Sequence, residues 1–355
     1  MSEQVTGKAT PELFERIILR RLGARDDDVL TPPKHGVDVG VVRVTDGLAM
    51  ALTTDPVFVV PAYGWERAAW FAVHILASDA ATSGLPLRWM AVDLNLPPEI
   101  SDQDLTSLWD AFSRTCNDLG IAVVTGHTAR YDGCAWPMVG GATCVALGPD
   151  DAYVTPTMAR PGDRVVVTKG AAIEATALFA ATFPDRLAAG VGAEVVRQAD
   201  ALFEQMTVVP ETRIAAAFGL RDRGVTSMHD ATEGGVVGGL LEVAVASDVG
   251  MRIDLDAIPV RPEVRVVCDH VGIDPYTSIS EGTLIATLRP DRAIGYVEAC
   301  AREGIDAAIV GDVTEPADGR VLVDADGVER ALEHPGLDPF WGAFGAWASE
   351  AAVAG

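Results

Sequence analysis

Apolar positions along this chain fall into two patterns. Short unbroken or alternating blocks at residues 41–44, 48–52, 88–94, 121–124, 137–147, 162–168, 224–228, 283–288, 307–310 and 320–323 have the length and punctuation of strands. Stretches of helical spacing at residues 65–83, 101–119, 173–181, 193–206, 211–218 and 292–303 lie between them. A further helix runs from Val236, where Val237, Leu240, Leu241, Val243 and Val245 suit one face. Thr10-Pro11-Glu12 opens an N-terminal helix, because a hydroxyl cap precedes a proline with a preset φ, and Gly23 closes it. Asp46-Gly47 between two strands is a hairpin turn, and Gly120 ends the helix before it. The order of elements predicts an α/β chain of the α+β kind, with sheets covered by helices.

Residues 148–161, GPDDAYVTPTMARP, are rich in proline, glycine and aspartate and form the best domain boundary. A length of 355 residues suits two cores of ordinary size. The predicted division is residues 1–155, residues 156–330 and a helical tail at 331–355. In that tail Phe340, Trp341, Phe344 and Trp347 recur at helical spacing, as a core or dimer contact would.

Charge narrows the partners. The formal net charge is -24 and the only lysines are Lys8, Lys34 and Lys169, so the surface repels nucleic acid and anionic membranes. Such acidity fits a salt-adapted host or plain compositional drift. No apolar run reaches the ~18 residues of a membrane span, and the most apolar helix candidate, residues 68–81, is broken by His74 and Asp79. The start, MSEQVTGKAT, lacks a basic region followed by an apolar block, so the cytoplasm is the expected location. Five cysteines without CxxC spacing read as reduced thiols.

The stretch with most chemistry is residues 228–244, MHDATEGGVVGGLLEVA, a strand leading through a glycine turn into a helix. Gly234 and Gly235 let backbone approach a ligand, and the first free N–H groups of the helix favour an anion. Asp230 beside that anion suits Mg²⁺, which takes carboxylate and phosphate oxygens. The alternative is that Asp230 and Thr232 are caps and the glycines serve tight packing. Asp38 precedes the first strand of the hairpin, Asp55 follows the second in Thr53-Thr54-Asp55-Pro56, and Asp79 interrupts an apolar helix, where a buried acid needs a partner or a cation. Lys169 stands between a strand and a helix, placed to touch phosphate or to remain a solvated charge. His127 follows a strand in Thr125-Gly126-His127-Thr128.

The sequence HDATEGG, followed by Val260-Arg261-Pro262-Glu263-Val264 and Ser280-Glu281-Gly282, resembles the AIR synthase (PurM) superfamily. It is most similar to HypE-type hydrogenase maturation proteins, whose corresponding elements read HDPTRGG, IPVRPEV and NEG. The resemblance implies a two-domain AIR synthase-like fold, an N-terminal mixed-sheet domain that binds ATP and dimerises, and a C-terminal α/β domain. It places ATP in a cleft between the N-terminal domains and the glycine turn, with Mg²⁺ on Asp38, Asp55, Asp79 and Asp230. Asp55, His127, Lys169, Thr232, Gly234 and Gly235 become nucleotide contacts, the GHT around His127 being similar to that of selenophosphate synthetases. Val37 stands where the family's DDAAV run has its first aspartate, and no cysteine follows Cys300, whereas HypE-type proteins end in one. The implied activity is ATP-dependent activation of a substrate oxygen in a homodimer. The alternatives are a small-molecule kinase resembling thiamine-monophosphate kinase, or a non-catalytic nucleotide-binding protein acting with maturation partners.

Overall fold

The computed structural model describes residues 11–354, so the Thr10 cap lies outside the described residues. The chain forms two compact units, one of Asp26–Pro33 with Asp38–Tyr153, the other of the remaining segments, chiefly from Val154 onward.

The first unit is built on a six-stranded sheet of β1 Val29–Thr31, β2 Gly40–Thr45, β3 Leu48–Phe58, β4 Leu87–Leu96, β5 Ala122–Arg130 and β6 Met138–Pro149, in the order β1-β2-β3-β6-β4-β5. Gly47 takes a left-handed φ of 77° and closes the β2–β3 hairpin, as Asp-Gly turns do. β3 runs beyond Leu52 through Thr53-Thr54-Asp55-Pro56, so Asp55 lies inside a strand rather than at its end. Pro56 is accommodated because β2 pairs only as far as Leu52, and the β3–β6 register shifts between Pro56 and Phe58. β4 and β5 are parallel and joined through the helix Asp102–Leu119, which the Ser101 hydroxyl caps by accepting from the Asp104 N–H and which Gly120 ends at φ 78°. The helix Trp65–Thr82 buries alanines 68, 69, 72, 77, 80 and 81, small side chains that bring its backbone close to the sheet.

The second unit carries β7 Arg164–Thr168, β8 Val225–Ala231, β9 Gly250–Asp254, β10 Thr283–Leu288, β11 Ala307–Thr314, β12 Arg320–Val323 and β13 Glu329–Ala331, ordered β13-β12-β9-β11-β7-β10-β8. Its two faces bury separate cores. One packs Val236, Leu240, Val243 and Ala244 of the helix Gly235–Ala246 on the sheet, and the other gathers Met228, Leu284, Leu288 and Tyr296. The predicted helix at 193–206 divides into Ala193–Asp200 and a 3-10 turn at Phe203–Gln205. The N-terminal helix changes at Glu15–Leu19 into a π-helix that stops short of Gly23.

The tail is a helix, Pro339–Ala354, packed on its own chain. The ring of Phe179 lies 5.5 Å from Phe340, 5.4 Å from Phe344 and 5.4 Å from Trp347, and the Arg186 guanidinium sits 3.9 Å from the centre of Trp347. No helix among the described residues is long and apolar enough to cross a membrane.

Candidate functional site

β8 buries every residue and carries His229 and Asp230, each 1% exposed, into the glycine turn. Asp230 is therefore a strand residue, one position from the strand's end. The turn closes with the Gly235 N–H donating to the Thr232 carbonyl at 3.0 Å, while Gly234 and Gly235 adopt φ of 82° and 62°. A Cβ on Gly235 would lie 2.6 Å from the Ser278 carbonyl oxygen and 2.8 Å from that of Tyr276. The close approach that this glycine permits is thus made by the chain itself, and the Val237 N–H donates to the Tyr276 carbonyl at 3.0 Å.

The Gly234 N–H is also engaged. It donates to Asp338 Oδ2 at 2.8 Å, while Asp338 Oδ1 accepts from the Phe340 N–H at 2.9 Å. One carboxylate caps two helices. Burial pushes the Asp338 carboxyl up to about 6, the charge of Glu233 adding to the rise and the N–H groups of Gly234, Phe340 and Ile279 opposing it. Glu174, in the first turn of the helix Ile173–Thr182, is pushed up to about 8 by burial and then by Asp338, Glu233 and Asp230, against the Glu281 N–H that it accepts at 2.8 Å. The turn is a place where carboxylates crowd, and a cation or a proton relieves them.

Behind the turn, His229 Nε2 lies 2.8 Å from Glu242 Oε2, both side chains being buried. Gly36 admits this helix closely, since a Cβ there would lie 2.7 Å from Glu242 Cβ. Lys34 Nζ donates to the Ala246 carbonyl at 2.7 Å, a cation at the negative end of the helix dipole.

Lys169 departs from the phosphate expectation. The residue is 6% exposed, and its ammonium pairs with Glu211 Oε1 at 2.5 Å and donates to the carbonyls of Gln205 at 3.1 Å and Thr207 at 2.5 Å. All three protons have acceptors inside the protein, so the lysine ties the strand end to the 205–211 segment. Its own backbone is left-handed at φ 57°, with Arg261 Nε donating to its carbonyl at 3.2 Å.

In the first unit β3 positions two of the aspartates. Thr53 Oγ1 donates to Asp79 Oδ2 at 3.0 Å, which settles the acid within its alanine-rich helix at 7% exposure. Asp55 is two residues from Thr53, hence on the same face of β3, and is half-buried. Asp38 lies two residues before β2 and is half-buried.

His127 stands apart within the unit. It lies inside the edge strand β5 rather than in a loop, exposed, with Nε2 2.9 Å from the Tyr131 hydroxyl. The register runs His127 to Asp93, Gly141 and Pro56, three strand spacings from the neighbour of Asp55, or ~14 Å. Sequence reasoning missed the His229–Glu242 pair, Glu174 and Asp338. The histidine adjoins Asp230 in the motif, and Asp338-Pro339 has the form of a helix cap, but nothing local links residue 338 to residue 234.

Comparison with known proteins fits this architecture. The sequence model for the AIR synthase related protein N-terminal domain matches residues 36–159, and that for the C-terminal domain matches residues 160–324. The carbamoyl dehydratase HypE of Rhizobium leguminosarum bv. viciae is 28% identical over 321 residues, covering 88% of this chain and 85% of that protein. A hydrogenase maturation protein HypE solved in complex with ATP superposes with a TM-score of 0.63 at 22% identity, over 94% of this chain and 97% of that one. Thiamine monophosphate kinase from Aquifex aeolicus gives a TM-score of 0.64 at 18% identity, over 90% and 97%. With its two matched domains together spanning most of its length, the chain belongs to the AIR synthase related protein family.

Proposed function

We propose that this chain is an ATP-dependent enzyme that activates a substrate oxygen by phosphoryl transfer from Mg-ATP. The observation that carries the reading is Asp79, a nearly buried acid held by Thr53 on the face of β3 that also bears Asp55. A donor set of carboxylate and hydroxyl oxygens suits a hard cation such as Mg²⁺. Asp38 and Asp230 complete the proposed ligand set, each within its own unit, with Thr232 beside Asp230. Mg²⁺, when bound, would neutralise charge on the phosphate oxygens. The protein's part is then to position and to exclude water, which needs no covalent protein intermediate. The relative solved with ATP supports nucleotide binding in this fold.

A homodimer is part of the proposal. Among the described residues β5 ends the sheet without a neighbour on its outer side, and Val123 and Val124 are 37% and 59% exposed. A long bare strand edge with apolar residues is stabilised by pairing with a second copy. Partner proteins of the maturation kind belong to the same reading.

The test is calorimetry of ATP and ADP with and without Mg²⁺, following phosphate release in the same samples. Asp79→Asn and Asp230→Asn are each expected to lower Mg²⁺-dependent nucleotide affinity by about tenfold or more. Unchanged affinity in both variants removes the ligand set. A phosphorylated product in place of free phosphate selects the kinase, and binding without turnover, with or without partner proteins, selects the non-catalytic protein.

A further inference from the structure

The glycine turn already holds an anion, and it comes from the chain. Gly234 and Phe340 direct their N–H groups at Asp338 from 2.8 Å and 2.9 Å, and the Ile279 N–H adds to them. Three backbone donors from three separate segments converging on one carboxylate make an anion-binding nest with its occupant in place. Asp338 is 3% exposed, and Pro335 lies across the turn so closely that a Cβ on Gly234 would sit 3.2 Å from its Cγ.

We infer that the 335–338 segment is a self-inhibitory latch: Asp338 occupies the Gly234 N–H that a ligand phosphate would use, and phosphate binding there requires the tail to leave. The inference rests on the nucleotide reading above. The physical reason is exclusion. One N–H serves one strong acceptor, and a phosphate oxygen placed beside the Asp338 carboxylate would set like charges together at the buried end of a helix. Glu233, whose charge already bears on Asp338, raises that repulsion.

The tail is built to hold and to release. Its anchor is the aromatic contact of Phe340, Phe344 and Trp347 with Phe179 and Phe183, together with Arg186, which pairs with Glu350 at 2.7 Å and lies over Trp347. None of these side chains belongs to either sheet core, so the tail can detach without opening them.

The experiment uses the full chain, with Mg-ATP and inorganic tripolyphosphate as probes. Calorimetry compares the parent with Asp338→Ala and Asp338→Asn, and hydrogen exchange follows the amides of Pro339–Ala354 in the parent. Asp338→Ala is expected to bind both probes at least about fivefold tighter. Asp338→Asn, which keeps an acceptor but loses the charge, should fall between the two. Saturating Mg-ATP should speed exchange in the tail helix of the parent. Equal or weaker binding by a folded Asp338→Ala, when the parent binds, overturns the latch and leaves the nucleotide reading standing. Tail amides that stay protected under saturating ligand overturn it as well, and this readout decides alone should the variants fail to fold. If neither parent nor variants bind either probe, both readings fall.

Discussion

The glycine turn of the second unit and the aspartate set of the first are both rich in acid, yet they are held in opposite ways. Around the turn, backbone donors and packed segments already satisfy or crowd the polar groups: Asp338 on Gly234, Glu281 on Glu174, and the 276–278 loop on Gly235. In the first unit Asp38 and Asp55 remain half-buried, and only Asp79 is deeply placed, on a threonine hydroxyl. The same residue type is enclosed by backbone donors in one place and stands half-buried in another. Burial and donors decide between them, not the motif.

Substitutions can break this contrast, beginning with those of greatest effect. Glu211→Ala removes the carboxylate paired with the buried Lys169 ammonium, and the loss of one partner of a buried pair costs about 3–5 kcal/mol; urea unfolding should show it, with nucleotide affinity per folded molecule unchanged. Gly235→Ala forces a Cβ against the Ser278 carbonyl at a left-handed φ, and about 2–3 kcal/mol of stability should be lost in the same assay. If Gly235→Ala instead keeps stability and loses only ligand binding, the glycine belongs to a cradle after all.

The acidic turn also sets a pH dependence. Glu174 carries a folded value of about 8 against an ordinary 4.5, so between those limits the folded state holds a proton that the unfolded state releases. Stability therefore falls as pH rises through that window, and Asp338 adds a narrower fall from 3.8 to about 6. Glu174→Gln removes its share: its melting temperature should exceed the parent's at pH 8 by about 2–4 °C for each kcal/mol regained, and should match it near pH 4. A difference that is the same at both pH values denies Glu174 this role. The smallest stability effect belongs to Asp55→Asn, within about 0.5 kcal/mol in denaturant, as for a half-buried group without a structural partner role. Its Mg²⁺-dependent nucleotide affinity is nonetheless expected to drop about tenfold. Loss of stability there would make Asp55 a structural acid like those of the turn.

Much of the frame was readable along the chain. Asp46-Gly47 and Gly120 marked their turns because only residues tolerant of a left-handed backbone serve there, and the helices Trp65–Thr82 and Asp102–Leu119 followed from local spacing. Strand ends were less readable. β3 and β5 each continue past their apolar blocks through Thr53 to Pro56 and through Thr125 to Thr128, since cross-strand pairing extends a strand where side-chain pattern stops.

Sequence alone determined the two-domain α/β class, the strand–turn–helix at HDATEGG and the family resemblance, because these depend on short-range spacing and on residue types that a backbone conformation demands. Tertiary structure decided the rest. It turned Lys169 inward to Glu211, set His127 on an exposed strand edge away from Asp55, and brought Asp338 across 104 positions to the Gly234 N–H. Each of these is a pairing of charge or hydrogen-bond partners between distant segments. Electrostatic and hydrogen-bond satisfaction depends on what packing brings near, which no local pattern encodes.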